Sequence, residues 1–222
     1  GADEIARRIT QICEDKYPDT WDSNESLLTM VAALLHDVGH GAYSHTFERL
    51  FDTDHEEMTC TIITSPETEI NALLKQVSPD FPERVASVIN HTYPNKQVVQ
   101  LISSQIDVDR MDYLLRDSYF TGASYGEFDL TRILRVIRPT ENGIAFKESG
   151  MHAVEDYVLS RYQMYMQVYF HPASRSMEVL LQNLLNRAKL LYTSEQDFFT
   201  LTSPRLLPFF EHRIRLTDYL AL

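Results

Sequence analysis

The chain has 222 residues, 44% of them hydrophobic and 23% charged, and these fractions predict a globular protein with a sizeable core. Its formal net charge of −12 argues against nucleic acid as the main partner, because non-specific binding of nucleic acid depends on many Lys and Arg contacts to phosphate. The absence of a long apolar run excludes a membrane-spanning helix, and two cysteines outside any CxxC pair favour the cytoplasm.

Apolar residues recur at helical spacing along almost the whole chain. Four helix starts are indicated by capping residues or by a proline in the first turn: Asp22 with Glu25, Asp54 with Glu57, Ser65-Pro66, and Phe81-Pro82. Residues from about 96 to 120 are expected to form one long helix or two abutting ones. The sequence therefore predicts a bundle of consecutive helices.

A second long helical stretch is predicted from about residue 152 to 170, where Pro172 breaks or kinks it before the helical pattern resumes. Between the two long stretches, β-branched residues flank Asn142-Gly143, a dipeptide typical of tight hairpin turns. The predicted fold class is therefore all-α, a helical bundle with one small β-hairpin around residues 133–147.

The first group of candidate site residues lies in LLHDVGHGAYSHTFE, residues 34–48. An apolar helix ends there at His36-Asp37, and Gly39 and Gly41 are expected to let the chain turn out of the helix. An imidazole nitrogen and a carboxylate oxygen at a helix C-terminus suit a divalent cation. The alternative is a C-terminal turn carrying two solvated polar residues.

The second group lies in IDVDRMDYLLRD, residues 106–117. Asp109, Tyr113 and Asp117 are spaced four apart, so they are expected to share one face of a helix. Met111, Leu114 and Leu115 lie on the other side and can enter the core. The alternative is a solvated acidic face that Arg110 and Arg116 offset.

Together the two segments resemble the HD-domain superfamily, and within it the bacterial deoxynucleoside triphosphate (dNTP) triphosphohydrolases with their mammalian SAM-and-HD-domain relative. The resemblance rests on HDVGHGAYSHTFE, DHE at 54–56, IDVDRMDYLLRDSYFTG and RYQMYMQVYFHP, and it extends over about residues 1–191. It implies one HD-domain catalytic core over residues 1–222. Metal-site helices would occupy about 1–132, the hairpin 133–147, and a helical extension completing the nucleotide groove 148–222.

The resemblance implies that His36, Asp37 and Asp109 ligate a divalent metal ion, which could be Mn, Mg, Fe or Zn. The family's remaining ligand is a histidine in an HSxG string whose glycine aligns with Gly1, so we expect that histidine upstream of Gly1. We also expect the family's longer C-terminal region to lie beyond Leu222.

Further site residues follow from the resemblance alone. It implies a catalytic group of His40, His45 and His55 that faces the triphosphate, with His45 as the proton donor and Glu48 as the carboxylate that orients it. It implies a substrate-binding group near the phosphates and the sugar: Arg110, Tyr113, Asp117, Arg161, Tyr169 and His171. The tyrosines of the later helix have an alternative interpretation, because they could simply pack between helices.

The implied reaction is metal-dependent hydrolysis of a dNTP to a deoxynucleoside and inorganic triphosphate. Two alternatives stay open: an HD-type nucleotide phosphodiesterase, phosphatase or alarmone hydrolase, and a non-catalytic nucleotide-binding regulator. The resemblance also implies nucleotide activators and a homo-oligomer, either a tetramer or a dimer.

Overall fold

The computed structural model describes residues 1–193 and shows an all-α bundle with one hairpin, as predicted. The helices of this range are α1 (Ala2–Lys16), α2 (Asn24–Leu35), α3 (His45–Phe51), α4 (His55–Thr64), α5 (Glu69–Leu74), α6 (Phe81–Ile89), α7 (Lys96–Ile102), α8 (Val108–Thr121), α9 (Leu130–Val136), α10 (Met151–Met164) and α11 (Pro172–Thr193). The strands are β1 (Ile137–Thr140) and β2 (Gly143–Phe146). A π-helical turn, Tyr165–Tyr169, follows α10.

The chain divides into two compact units, Gly1–Arg175 and Ser176–Leu222. The site and the core described below lie in the first unit. The described part of the second unit is the remainder of α11. None of the described helices combines the length and the hydropathy that a membrane crossing requires.

The core forms where α1, α2, α6, α7 and α8 bury their apolar faces against one another. Ile9 of α1, Leu28 of α2 and Val85 of α6 are fully buried, as are Met111 and Leu114 of α8. Burying a side chain of this size contributes about 1.5–3 kcal/mol. The same packing fixes the ends of α2 and α8, which carry the two predicted groups of site residues.

The predicted helix starts hold in part. Asp54 Oδ1 accepts a hydrogen bond of 3.0 Å from Glu57 N at the start of α4, and Pro82 lies in the first turn of α6. The capping box proposed for α2 is wrong, because the Glu25 carboxylate accepts a hydrogen bond of 2.9 Å from the Tyr93 hydroxyl. The start proposed at Ser65-Pro66 is also wrong.

Helix α5 begins three residues beyond that proline. The Thr68 side chain caps it by accepting a hydrogen bond of 3.2 Å from Asn71 N. The Thr68 hydroxyl also donates to the main-chain oxygen of Ile62, a contact that ties the cap to α4. This contact with α4 favours Thr68 over Ser65 as the cap.

The stretch from 96 to 120 is two helices, and Asp107 begins the second. Its carboxylate accepts hydrogen bonds from Arg110 N at 2.8 Å and Ser104 N at 3.0 Å, and it pairs with the Arg110 guanidinium. Burial raises the pKa of Asp107, although these hydrogen bonds and the Arg110 charge oppose that effect. The cap fixes the first turn of α8 and with it the position of Asp109.

The hairpin is shorter than predicted. Residues 133–136 belong to α9, because Ile133, Leu134 and Val136 bury their side chains as part of a helix and burial overrides the β propensity of branched residues. The strands pair in antiparallel register from Ile137 opposite Phe146 to Thr140 opposite Gly143. Gly143 adopts φ 128°, but it pairs with Thr140 as the first residue of β2, so Glu141 and Asn142 form the loop in place of the predicted Asn-Gly pair. Pro172 begins α11, as the expected break after the second long stretch requires.

Candidate metal centre and adjoining pocket

The turn after α2 is held against α4 by one threonine. The Thr59 hydroxyl donates to the main-chain oxygen of His36 at 3.0 Å and accepts from Gly39 N at 2.9 Å. A Cβ on Gly39 would lie 2.3 Å from both His55 O and Thr59 N, so only glycine permits this approach. The sequence predicts that Gly39 and Gly41 turn the chain out of the helix through a backbone conformation that glycine favours. That prediction is wrong, because neither glycine has a positive φ.

A positive φ occurs instead at two residues that follow these glycines, Tyr43 and Ser44. Tyr43 has φ 66° and Ser44 has φ 47°. Their backbone reverses the chain before α3 begins at His45. Non-glycine residues in this region are uncommon, and such strain is found at functional sites.

The three predicted metal ligands lie together. His36 Nε2 is 3.4 Å from Asp37 Oδ1 and 3.5 Å from Asp109 Oδ1, and the ligand atoms all lie within 4.8 Å of one another. His36 Nδ1 contacts the main-chain oxygen of Ala33 at 2.9 Å, which orients the ring so that Nε2 faces the carboxylates. Helices α2 and α8 thus supply one nitrogen and two carboxylate oxygens to one point.

This trio fits a divalent metal ion. His36 Nε2 is shielded from solvent and has no hydrogen-bond partner among the described residues. Burial alone would lower the pKa of His36. The Asp109 carboxylate and the charge of Asp37 outweigh burial and raise the pKa to about 9, so the position strongly favours positive charge. Mixed nitrogen and oxygen donors suit Mn, Fe and Zn, while oxygen-rich sites suit Mg.

A second group, which we name the histidine cluster, consists of His40, His45 and His55 around Glu48. Glu48 Oε1 lies 2.8 Å from His55 Nδ1 and 3.2 Å from His40 Nδ1, and Oε2 lies 2.9 Å from His45 Nδ1. The rings of His40 and His55 stack with centroids 4.0 Å apart. Burial and the neighbouring imidazoles lower the pKa of His40. The imidazoles lower the pKa of Glu48 against the opposing effect of burial.

The opposite wall is built by aromatic residues on α8 and on the π-helical turn. The Tyr169 hydroxyl donates a hydrogen bond of 2.7 Å to Asp117 Oδ2, and the Tyr113 and Tyr169 rings meet edge to face at 6.1 Å. Burial is the main cause that raises the pKa of both Tyr113 and Tyr169. Asp109, Tyr113 and Asp117 therefore share one face of α8, as their spacing predicts.

Both walls line one cavity of about 760 Å³. The predicted residues among its lining are His36, Asp37, His40, His45, His55, Asp109, Arg110, Tyr113, Asp117 and Tyr169. Lining residues that sequence reasoning missed include His91, Ser103, Arg116 and Tyr165. Tyr165 precedes Tyr169 by four residues and could have been found from that spacing. His91 carries no such pattern in the sequence.

Three of the residues implied by the resemblance do not line the cavity. The Arg161 guanidinium donates to Gln105 O at 3.3 Å and to Gln105 Oε1 at 2.9 Å, and Arg161 does not line the cavity. His171 is exposed outside the cavity, where its Nδ1 accepts from Ala173 N at 3.2 Å. Glu48 lies behind the histidines that line the wall. Arg110 reaches the cavity but already pairs with Asp107.

Two family models match the chain. Residues 2–117 match the HD domain family, and residues 128–203 match the HD associated region. The chain is 56% identical, over its full length, to the uncharacterized protein YwfO of Bacillus subtilis and spans 51% of that protein. It is 26% identical over 186 residues to the deoxynucleoside triphosphate triphosphohydrolase SAMHD1 homolog of Dictyostelium discoideum. That match covers 78% of this chain and 36% of the relative.

A solved structure gives the same result. The crystal structure of a phosphohydrolase from Bacteroides thetaiotaomicron superposes with a TM-score of 0.76 at 29% identity, covering 99% of this chain and 52% of the other. The chain thus spans about half the length of both YwfO and this phosphohydrolase. The HD domain match covers more than half of the chain and includes the His36, Asp37 and Asp109 trio. The chain belongs to the HD-domain family of phosphohydrolases, whose members bind divalent metal ions.

Proposed function

We propose that this chain hydrolyses deoxynucleoside triphosphates to a deoxynucleoside and inorganic triphosphate. The observation that carries the proposal is that one cavity joins the His36 trio to the histidine cluster and to the aromatic wall around Asp117. These three parts supply what the reaction needs: metal ligands, a proton donor with polar contacts for phosphate, and a surface for the sugar. The relationship to the Dictyostelium triphosphohydrolase supports the same substrate class.

His36, Asp37 and Asp109 would hold the divalent ion. When bound, such an ion polarises a phosphoryl oxygen and lowers the pKa of a bound water. Asp109 is positioned for this role by the Asp107 cap, and His36 by its contact with Ala33 O. The ligand atoms are thus fixed by main-chain contacts of two separate helices.

His45 would donate the proton to the leaving 5′ oxygen. The Glu48 carboxylate, 2.9 Å from His45 Nδ1, orients the imidazole and leaves Nε2 as the atom that delivers the proton. Because His45 is more than half exposed, substrate can reach it. His40 and His55 lie beside it and would contact the phosphate chain together with Arg110.

The aromatic wall would bind the sugar. Tyr169 and Tyr113 flank Asp117, whose Oδ2 already accepts the Tyr169 hydroxyl. An aromatic ring packed under the ribose leaves little room for a 2′-hydroxyl, and this crowding favours deoxyribose. The proposal therefore includes discrimination against ribonucleoside triphosphates. Nucleotide activators and a homo-oligomer, tetramer or dimer, remain part of the proposal.

The test uses the full-length protein loaded with Mn or Mg. Each dNTP and each ribonucleotide is incubated singly and as a mixture, and the products are resolved as nucleoside, triphosphate and pyrophosphate. We expect nucleoside and triphosphate from dNTPs, with no turnover in Asp109→Ala and full turnover in the exposed control Asp156→Ala. Release of pyrophosphate or monophosphate instead would support the phosphodiesterase or phosphatase alternative. Activity only in mixtures would indicate activation by nucleotides.

A further inference from the structure

We propose that the histidine cluster is a second metal site, selective for zinc-like transition ions, and that its occupancy inhibits hydrolysis. This site is distinct from the His36 trio, since the two share no ligand. The binding part of the inference goes beyond the proposed function, because it concerns a cation at residues so far given a role in proton donation and phosphate contact.

The geometry of the cluster is close to that of a tetrahedral site. Zinc–nitrogen and zinc–carboxylate bonds of about 2.0–2.2 Å place neighbouring ligand atoms about 3.4 Å apart. The Glu48 oxygens lie 2.8, 3.2 and 2.9 Å from the Nδ1 atoms of His55, His40 and His45. One ligand atom from each residue lies within 4.8 Å of the others. Small side-chain shifts therefore bring four donors around one ion.

The donor chemistry selects the class of ion. Three imidazole nitrogens and one carboxylate oxygen suit zinc, copper or nickel. Magnesium and calcium take oxygen ligands and are disfavoured at such a site. The His36 trio, with one nitrogen and two carboxylates, is the more oxygen-rich of the two. The cluster should therefore bind zinc in the presence of excess magnesium.

The cluster is held in place by the fold around it. His40 Nδ1, His55 Nδ1 and Glu48 Oε1 are shielded from solvent and lack a well-formed hydrogen bond among the described residues. The close approach of Gly39 to the main chain of His55 brings the His40 and His55 rings into their stack. Three shielded donor atoms aimed at one another are a preformed arrangement for a cation.

Binding at this site has a consequence for the reaction. An ion held by Glu48 and the Nδ1 atoms occupies the carboxylate that otherwise pairs with His45. His45 then cannot carry the proton that the proposed mechanism assigns to it. We expect zinc beyond one equivalent to inhibit an enzyme that magnesium or manganese activates. Only this inhibitory part rests on the proposed function.

Zinc stoichiometry tests the site without any activity measurement. The full-length protein is dialysed against zinc in excess magnesium, and bound zinc per chain is measured by elemental analysis. We expect two zinc ions in the unchanged protein and one in Glu48→Gln and in His55→Gln. We expect one in Asp109→Asn, which keeps the cluster. The matched control is His152→Gln, because His152 and Glu155 form an exposed pair of the same spacing, 3.0 Å apart, and this variant should keep two.

Cobalt provides a second measurement that does not depend on the stability of one variant. Cobalt bound to Asp109→Asn should give the intense visible absorption of a four-coordinate ion, and the further change Glu48→Gln should remove it. Equal zinc content in the unchanged protein, Glu48→Gln and His55→Gln would overturn the proposal, provided that circular dichroism shows all three folded. A protein that binds two zinc ions but hydrolyses no dNTP would contradict the proposed function and leave the second site established.

Discussion

Tyr169 donates a hydrogen bond of 2.7 Å to Asp117 across 52 residues of sequence. Asp117 lies two turns after Asp109 on α8, so the bond connects the helix of a metal ligand to the π-helical turn after α10. Burial raises the pKa of Tyr169, and its hydroxyl therefore stays protonated and able to donate at neutral pH. The pair fixes the width of the cavity at its aromatic wall.

Removing the Tyr169 hydroxyl should loosen this wall. We expect Tyr169→Phe to lower the free energy of unfolding by about 1–3 kcal/mol, since the bond has a charged acceptor. We expect the KM for dNTPs to rise more than kcat falls, because the change affects positioning and leaves the metal ligands intact. Urea unfolding and steady-state kinetics measure the two effects. Tyr162→Phe, an exposed tyrosine, is the control, and an equal loss in both variants would contradict the prediction.

Glu48 should matter more for kcat than for substrate binding. It contacts three imidazoles at once, so Glu48→Gln removes the carboxylate that orients His45 as the proton donor. General acid catalysis contributes about 10²–10⁴-fold, and we expect kcat to fall within that range. Glu48→Asp keeps the negative charge but has a shorter side chain, and we expect its kcat to lie between those of the unchanged protein and Glu48→Gln. Glu83→Gln on the exposed face of α6 should leave kcat unchanged. A rise in KM alone would show that Glu48 serves binding.

Sequence reasoning succeeded where one local pattern decides the structure. The apolar spacing of residues 27–35 predicts α2, and the residue types of His36 and Asp37 at its end predict two candidate ligands that the structure brings together with Asp109. The four-residue spacing of Asp109, Tyr113 and Asp117 predicts their common face, which the cavity confirms. Each of these inferences needs only the helical period and the residue types.

The failures all depend on contacts between distant segments. Glu25 resembles a capping residue, but its carboxylate accepts a hydrogen bond from the Tyr93 hydroxyl, 68 residues away. The branched residues of α9 resemble a strand but are buried as a helix. The phosphate contact expected of Arg161 stays a prediction, and the sequence gives no sign of its contact with Gln105, 56 residues away. No local pattern encodes these partners, so tertiary packing had to be seen before they could be assigned.

Gly39 should tolerate no side chain. The Cβ of alanine would meet the main chain of His55 and Thr59 at 2.3 Å, and backbone atoms cannot move aside as a flexible side chain can. We expect Gly39→Ala to destabilise the fold by about 1–3 kcal/mol or more. Metal affinity should also fall, because the turn that carries His36 and Asp37 is displaced from α4. Calorimetry and metal titration measure these effects.

Gly122 provides the contrast for that variant. It ends α8 with φ 69° and has open space around it, so Gly122→Ala meets only backbone strain of about 1–2 kcal/mol. We expect metal affinity to be unchanged there. If both glycine variants lose metal equally, the close approach of Gly39 to α4 is not what holds the ligands.

Helix α2 offers a direct test of how burial supports the metal centre, since it carries two leucines in opposite environments. Leu28 is fully buried, whereas Leu34 is 61% exposed. Leu28→Ala leaves a cavity and should reduce the free energy of unfolding by about 2–5 kcal/mol. Leu34→Ala, two positions before His36, should change it by less than about 0.5 kcal/mol. Urea unfolding of the metal-free protein gives both values. A large loss of unfolding free energy in Leu34→Ala would mean that Leu34 packs against a surface that residues 1–193 do not provide. The burial assigned to α2 would then have to be revised.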